Sequence, residues 1–508
     1  MPTTPDVATD VTDTALLGPG GIAFLSLYLV SLLLVGLAGR AVRKENSLAD
    51  FFLGGRGMGF FVLLLTLYAT QYSGNTLIGF AAQAYRQGYA FLVSVTFMTA
   101  VIGCYLIFAP KLQRLSKQHD FITPGDYFHF RYGSRALAVL ATIIGIIALG
   151  NYIVTNLKAI GTIVESATGH QISFTTGVIA LSFIMVVYET LGGLRSVAWT
   201  DVIQGILLMV GCLCIFGAIQ WHYGGLTGMA EQLQTIKPEF WTPPTWSEKR
   251  TWLSTLILVF AGIPLYPHAI QRIYAARSAG TLKRSLQFMV FMPLATTLFM
   301  VLVGIIGAAR FPDLSKDQSE QITLRLLQDI AAHIPAVSML IVVFLSAAVA
   351  AIMSTVDSAL LSIASMFTQD LYRPMRSRAS QSHLTRVGKM CSWLVMALST
   401  LLAINLPQTI YFLMEIKLEL LCQIAPAMLL GIHFPRLRSM PVLCGLVVGV
   451  VFYFGLFFTL RALDMPRLWD VHSGIWALLA NLATIGLLSW LLPETPRTSA
   501  SSPQVASN

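Results

Sequence analysis

The chain has 508 residues, 55% of them hydrophobic and only 11% charged, with a net charge of +9. Soluble domains carry roughly 25% charged residues, so the composition excludes a soluble enzyme, a disordered scaffold and a disulfide-rich secreted domain. The apolar runs are long rather than short and alternating, which excludes a β-barrel and leaves a polytopic α-helical membrane protein.

The first residues, 1–20, carry Asp6, Asp10 and Asp13 and no Lys or Arg. A cleavable signal peptide needs a basic start, so this stretch reads as an extracytoplasmic tail. A helix needs roughly 20 apolar residues to cross a hydrocarbon core of about 30 Å. Thirteen such runs follow, near 21–39, 58–82, 89–109, 136–164, 172–191, 198–220, 251–270, 286–309, 338–370, 389–406, 409–431, 441–460 and 474–492. The polar tail 493–508 reads as disordered and cytoplasmic.

Basic residues give the orientation. With the N-terminus outside, 22 of the 33 Lys and Arg face the cytoplasm, nine face outward, and Lys158 and Lys417 lie within spans. That bias predicts N-out, C-in, and accounts for the positive charge without nucleic acid. The six cysteines lie in or beside apolar runs at no metal-site spacing. Of the two long outer loops, the second holds Ile322, Leu326 and Ile330 at helical spacing. It predicts a surface helix, either capping an outer vestibule or packed statically.

Two spans are interrupted. The second holds Ala69-Thr-Gln-Tyr-Ser-Gly-Asn-Thr76, and the seventh holds Ala261-Gly-Ile-Pro-Leu-Tyr-Pro-His268. Unwound backbone at bilayer depth is tolerated where it lines a cavity or is buried in protein; ordinary Gly/Pro kinking is the alternative. The breaks open two blocks of five spans with opposite direction, about 58–220 and 251–431. That is the pattern of an inverted repeat with substrate held at the broken helices.

Charges within spans are costly and usually functional. In the ninth span Ala351, Ser354, Thr355 and Ser358 share one helical face. This face either lets another helix approach closely or offers oxygen ligands to a hard cation. Asp357 sits on a neighbouring face. Asp201, near the start of the sixth span, either favours the helix dipole or converges with Asp357 on a second cation or a proton. Glu415 and Glu419 share a face of the eleventh span, opposite Lys417. They form internal pairs or contact a charged substrate.

Several segments together resemble one family. Gly192-Gly-Leu-Arg-Ser-Val-Ala-Trp-Thr-Asp-Val-Ile-Gln-Gly205 resembles a signature of the sodium/solute symporter family, as does Ala347–Tyr372 with Met353-Ser354-Thr355 and Phe367-Thr-Gln-Asp-Leu-Tyr372. Ser47–Arg56, Pro267-His268, Gln271-Arg272, Ala275–Ser278, Pro426 and Gly431 fit the same family in order. The resemblance covers roughly residues 20–490. It implies an all-α LeuT-like fold, one symporter domain over 21–492, and sodium-coupled symport by alternating access in the plasma (inner) membrane.

By position, the resemblance implies a Na+ site formed by the carbonyls of Ala69, Tyr72 and Ala351 and the hydroxyls of Ser354 and Thr355. A second cation or proton site falls on Asp201, Ser354, Asp357 and Ser358; Asp357 departs from the serine of some members. Solute falls near Gln71, Gly74, Asn75, Thr76 and Tyr266. Proline-transporting relatives have an acidic residue where this chain has Gln71. The run Gln71–Phe80 and Ala84-Tyr-Arg86 resemble the monocarboxylate and pantothenate branches, which implies a small carboxylate. An amino-acid symporter and a membrane solute sensor are the alternatives. A membrane enzyme lacks support: the sequence has no His cluster, Gly-x-Ser-x-Gly elbow or Walker motif. The implied partners are sodium, a small organic solute and the bilayer, with no obligatory protein partner.

Overall fold

The computed structural model describes residues 17–42, 47–72, 74–406 and 410–492. The two tails predicted as polar lie almost wholly outside them. Eleven helices among the described residues are long and apolar enough to cross a membrane, or twelve if one bent pair counts as a single span.

The first helices are α1 (Pro19–Ala41), α2 (Phe60–Gln71), α3 (Gly74–Gln87), α4 (Ser94–Gln118), α5 (Arg135–Ala167), α6 (Phe174–Gly192) and α7 (Leu194–His222). After them come α8 (Trp246–Gly262), α9 (Pro267–Ala275), α10 (Thr297–Arg310), α11 (Ile322–His333) and α12 (Ser338–Met366). The last four are α13 (Gln381–Asn405), α14 (Ile410–Leu421), α15 (Ser439–Ala462) and α16 (Ser473–Leu491). All of the expected apolar runs carry helix. The count differs from thirteen because the second run is not one rod: α2 has only 12 residues, and α3 continues into α4.

Local chemistry sets the ends. Ser134, Ser173 and Ser380 cap α5, α6 and α13 by accepting from a backbone N–H, and Thr245 with Glu248 forms a capping box at α8. These contacts satisfy N–H groups that a helix start leaves free. The turn from α6 to α7 depends on Gly193, at φ 62°, where a Cβ would meet the Phe51 carbonyl at 2.4 Å. At Gly304 of α10 a Cβ would fall 2.1 Å from the Ala81 carbonyl, so α3 and α10 pack backbone to backbone.

Helix α12 is the axis. Every residue from Phe344 to Met366 is buried, as expected of a helix apolar all round. It packs against α2, α3, α5, α7, α9 and α13. The surface helix predicted in the second long loop is α11, which buries Ile322, Leu326 and Ile330 against α3, α10 and α12.

Both predicted interruptions are present. Helix α2 stops at Gln71, and Tyr72 turns extended at φ −98°, ψ 94°. Helix α8 gives way to a 3-10 turn at Ile263–Leu265, and Tyr266 leaves the helical region at φ −53°, ψ 124° before Pro267 starts α9. The two halves of that span meet at 52°. Proline suits the first turn of a helix because its missing N–H would have no partner there.

One expectation is corrected. The expected end of the seventh span at 270 counts Arg272 among the 22 basic residues facing the cytoplasm. Helix α9 runs on to Ala275, and Arg272 is fully buried.

Candidate functional site

The first cluster is drawn from the end of α2 and from α12, two helices that pack on each other. A helix end leaves its last carbonyls without intrahelical partners. Tyr72 N–H still bonds the Tyr68 carbonyl, and beyond it the helix is broken. Ala69, Tyr72, Ala351, Ser354 and Thr355 are each buried, at 1% exposure or less. Thr355 Oγ1 donates to the Ala351 carbonyl at 2.9 Å, and Ser354 Oγ donates to Asp201 Oδ1 at 2.5 Å. A hydroxyl that donates one proton keeps lone pairs for a cation. The predicted donor set is thus two hydroxyls and carbonyls from two packed elements, a combination suited to a hard cation.

The second cluster adjoins the first through Ser354. Asp201 and Ser354 meet as the sequence suggested, and Ser358 lies beside them. The cation among them is Arg272. Its Nη2 lies 2.7 Å from Asp201 Oδ2 and 2.5 Å from Ser358 Oγ. Its Nε donates to Thr66 Oγ1 at 2.9 Å, and its Nη1 to the His268 carbonyl at 3.0 Å. Thr66 Oγ1 in turn donates to Asp201 Oδ2. Asp357 has separate partners: Tyr188 Oη donates to its Oδ2, while its Oδ1 has no hydrogen bond. The expected convergence of Asp201 with Asp357 is replaced by a guanidinium–carboxylate pair. Residue 357 follows 354 by three positions, and that offset turns it toward α6 instead.

The third cluster surrounds the two breaks. Gln71 Nε2 donates to Tyr105 Oη at 2.6 Å, and Gln71 Oε1 has no partner. Helix α4, which carries Tyr105, packs on α8 and α9. Tyr266 stacks on Tyr152 with ring centroids 5.5 Å apart and on His268 at 5.0 Å. Lys417 Nζ stands 3.3 Å above the Tyr152 ring and 5.7 Å from that of Tyr266. Neither ring nitrogen of His268 has a hydrogen-bond partner. Gln71 thus reaches Tyr105, while Tyr266 lies in the ring cluster with Tyr152 and His268. The side chains of Gly74, Asn75, Thr76 and Glu415 lie outside the described residues.

Sequence reasoning gave Arg272, Thr66, His268, Tyr152 and Tyr188 no site role. A signal existed for two of them. His268 and Arg272 lie four apart, on one face of a helix that a proline can start. Thr66, Tyr152 and Tyr188 sit in apolar runs without distinguishing pattern. Lys417 and Glu419 were noticed, and their surroundings differ. Glu419 Oε1 lies 3.3 Å from His472 Nδ1, whereas Lys417 has no carboxylate partner among the described residues.

Known proteins place this geometry. The profile described as "Sodium:solute symporter family" matches residues 51–449. The chain is 28% identical over 442 residues to the sodium/pantothenate symporter of Escherichia coli, covering 84% of this chain and 89% of the relative. It is 28% identical over 439 residues to the osmoregulated proline transporter OpuE of Bacillus subtilis, covering 84% and 87%. An uncharacterized symporter of B. subtilis, YhjB, is 26% identical over 491 residues, covering 94% and 99%. Among solved structures, a Na+-coupled sialic acid symporter, substrate-bound and outward-open, superposes with a TM-score of 0.77 at 19% identity, covering 94% of this chain and 98% of that one. A nucleobase-cation-symport-1 family transporter gives 0.56 at 13% identity, covering 88% and 95%. These likenesses show the LeuT-like fold. A Na+-coupled multi-pass transporter of small organic solutes, not an enzyme, follows from the matched profile over most of the chain: the protein belongs to the sodium:solute symporter family.

Proposed function

We propose that Na+ is held by the carbonyls of Ala69, Tyr72 and Ala351 and the hydroxyls of Ser354 and Thr355. The solute sits between the two broken helices, beside Gln71, Gly74, Asn75, Thr76 and Tyr266. The observation that carries this reading is the break of α2 after Gln71 in a helix that packs on α12, where Tyr72, Ser354 and Thr355 are all buried. Sodium bound there ties the broken helix to the central one and shapes the solute site beside it.

The chain lies N-out and C-in, with 58–220 and 251–431 as inverted halves of one domain over 21–492. Inward movement of one Na+ then releases about 2.3 kcal/mol per 100 mV, enough to drive accumulation. Asp201 and Ser358 hold the Arg272 guanidinium, and Ser354 donates to Asp201, so this region carries its positive charge on the chain itself. A small carboxylate fits this reading better than an amino acid. The acidic residue of proline-transporting relatives is replaced by neutral Gln71, and a buried lysine stands nearby.

Uptake into proteoliposomes with and without a sodium gradient tests the proposal. The variant Ser354→Ala/Thr355→Ala is expected to lose Na+-driven uptake and radiolabelled Na+ binding together. Unchanged sodium dependence in that variant refutes the site.

A further inference from the structure

We propose that Lys417 is the anchor for a carboxylate group of the transported solute, with His268 and Gln71 completing its polar contacts. The proposal rests on the reading that solute binds between the broken helices, and it names the chemistry of that solute.

The argument begins with burial. Lys417 is 2% exposed, at the middle of α14. A buried charge is costly unless it is paired, and the nearby carboxylates among the described residues are engaged elsewhere. Glu419 lies two positions on, about 160–200° around the helix, and pairs at that spacing do not face each other. Glu419 is also engaged, with His472. Asp201 is committed to Arg272. Among the described residues the Lys417 ammonium therefore has neither a carboxylate nor a hydrogen-bond acceptor.

What faces it instead is the Tyr152 ring, 3.3 Å away. A ring face is a weak substitute for an anion. It contacts one side of the ammonium and leaves N–H donors free. Tyr266 and His268 both stack on Tyr152 and on each other, with ring centroids 5.5, 6.2 and 5.0 Å apart. These rings form a dry wall, beside which an ionic hydrogen bond is stronger than in water.

Unused polar atoms mark the rest of the site. His268 is fully buried with both ring nitrogens unpartnered. Gln71 uses its amide N–H on Tyr105 and leaves Oε1 unpartnered. Buried polar atoms without partners are rare, and each needs an explanation. One solute explains all three residues. Its carboxylate accepts from Lys417 and from a ring N–H of His268, and a hydroxyl or amide N–H elsewhere on it donates to Gln71 Oε1. The inferred class is a small hydroxy- or amide-bearing carboxylate.

The test uses the purified full chain in nanodiscs, in Na+ and in K+ buffer. Binding is measured for two acid–neutral pairs: pantothenate against its alcohol, panthenol, and lactate against lactamide. Wild type is expected to bind at least one acid in Na+ buffer and to prefer it to its neutral counterpart. Lys417→Met is expected to weaken that acid by about 10- to 100-fold, the loss of one charged hydrogen bond, and to abolish the preference. Radiolabelled Na+ binding, measured without solute, is expected to stay intact in Lys417→Met. Lys417→Arg, which keeps the charge, is expected to keep the preference for the acid. Binding of neither acid by wild type, equal affinity within both pairs, or an acid preference that survives Lys417→Met overturns the proposal. So does loss of Na+ binding in Lys417→Met, which would place the lysine in the sodium site. Failure of the sodium reading shows differently, as wild type that binds an acid equally in Na+ and K+.

Discussion

Two cations are buried near the broken helices, and their surroundings are opposite. Arg272 is saturated: four of its neighbours, Asp201, Thr66, Ser358 and His268, accept from it. Lys417 has an aromatic face and, among the described residues, no anion. His268 stands between them, with its carbonyl on Arg272 and its ring in the stack below Lys417. The first cation is complete within the fold and holds α2, α7, α9 and α12 together. The second lacks the partner that would balance it, which is the condition of a binding residue rather than a structural one.

The largest effect should come from breaking the complete pair. Arg272→Met leaves Asp201 buried without its cation, and thermal unfolding in detergent should show a loss of about 3–5 kcal/mol. The double variant Arg272→Met/Asp201→Asn should recover most of it. A single variant as stable as wild type removes the contrast. At the other cation the same experiment should give the opposite sign: Lys417→Met deletes an unbalanced charge, so thermal stability should hold or rise while the acid preference is lost.

A smaller effect sharpens the point. Tyr152→Leu should destabilise by about 0.5–2 kcal/mol while Lys417 is present and by less in a Lys417→Met background. The double-mutant cycle isolates the ring–ammonium term. Asp357→Asn should change Na+ affinity by less than about threefold, ~0.6 kcal/mol, because Asp357 pairs with Tyr188 away from Arg272. A larger change would bring Asp357 into the cation site.

The smallest effect lies outside the membrane, on α11. Burial alone would raise the Asp329 carboxyl, but the Arg310 guanidinium and the Tyr223 hydroxyl hold it below the usual carboxylate range. A depressed value contributes stability above the ordinary aspartate pKa of about 3.9, and that contribution is lost as pH falls through the depressed value. Wild type and Asp329→Asn should therefore converge in stability below about pH 4.

How much of this was legible beforehand depended on the range of the interaction. Both helix breaks were readable, because Gly, Pro and polar residues interrupting an apolar run are a local signal. The hydroxyl face of α12 was readable for the same reason: helical periodicity places Ser354, Thr355 and Ser358 together whatever surrounds them. Asp201 beside Ser354 came from resemblance, and the structure supports that contact. Arg272 was misassigned because a basic residue after a proline-broken span looks like a loop charge. Only the packing of α9 against α12 and α2 takes it inside.

The sequence by itself thus determined the membrane class, the helical runs, the two interruptions and the family, all carried by composition, periodicity and short motifs. Tertiary structure alone decided which charges are balanced. Whether a buried cation meets a carboxylate or a ring depends on helices far apart in the chain. Tyr152 and Lys417 are brought within 3.3 Å by the packing of α5 on α14, and no local pattern encodes that register.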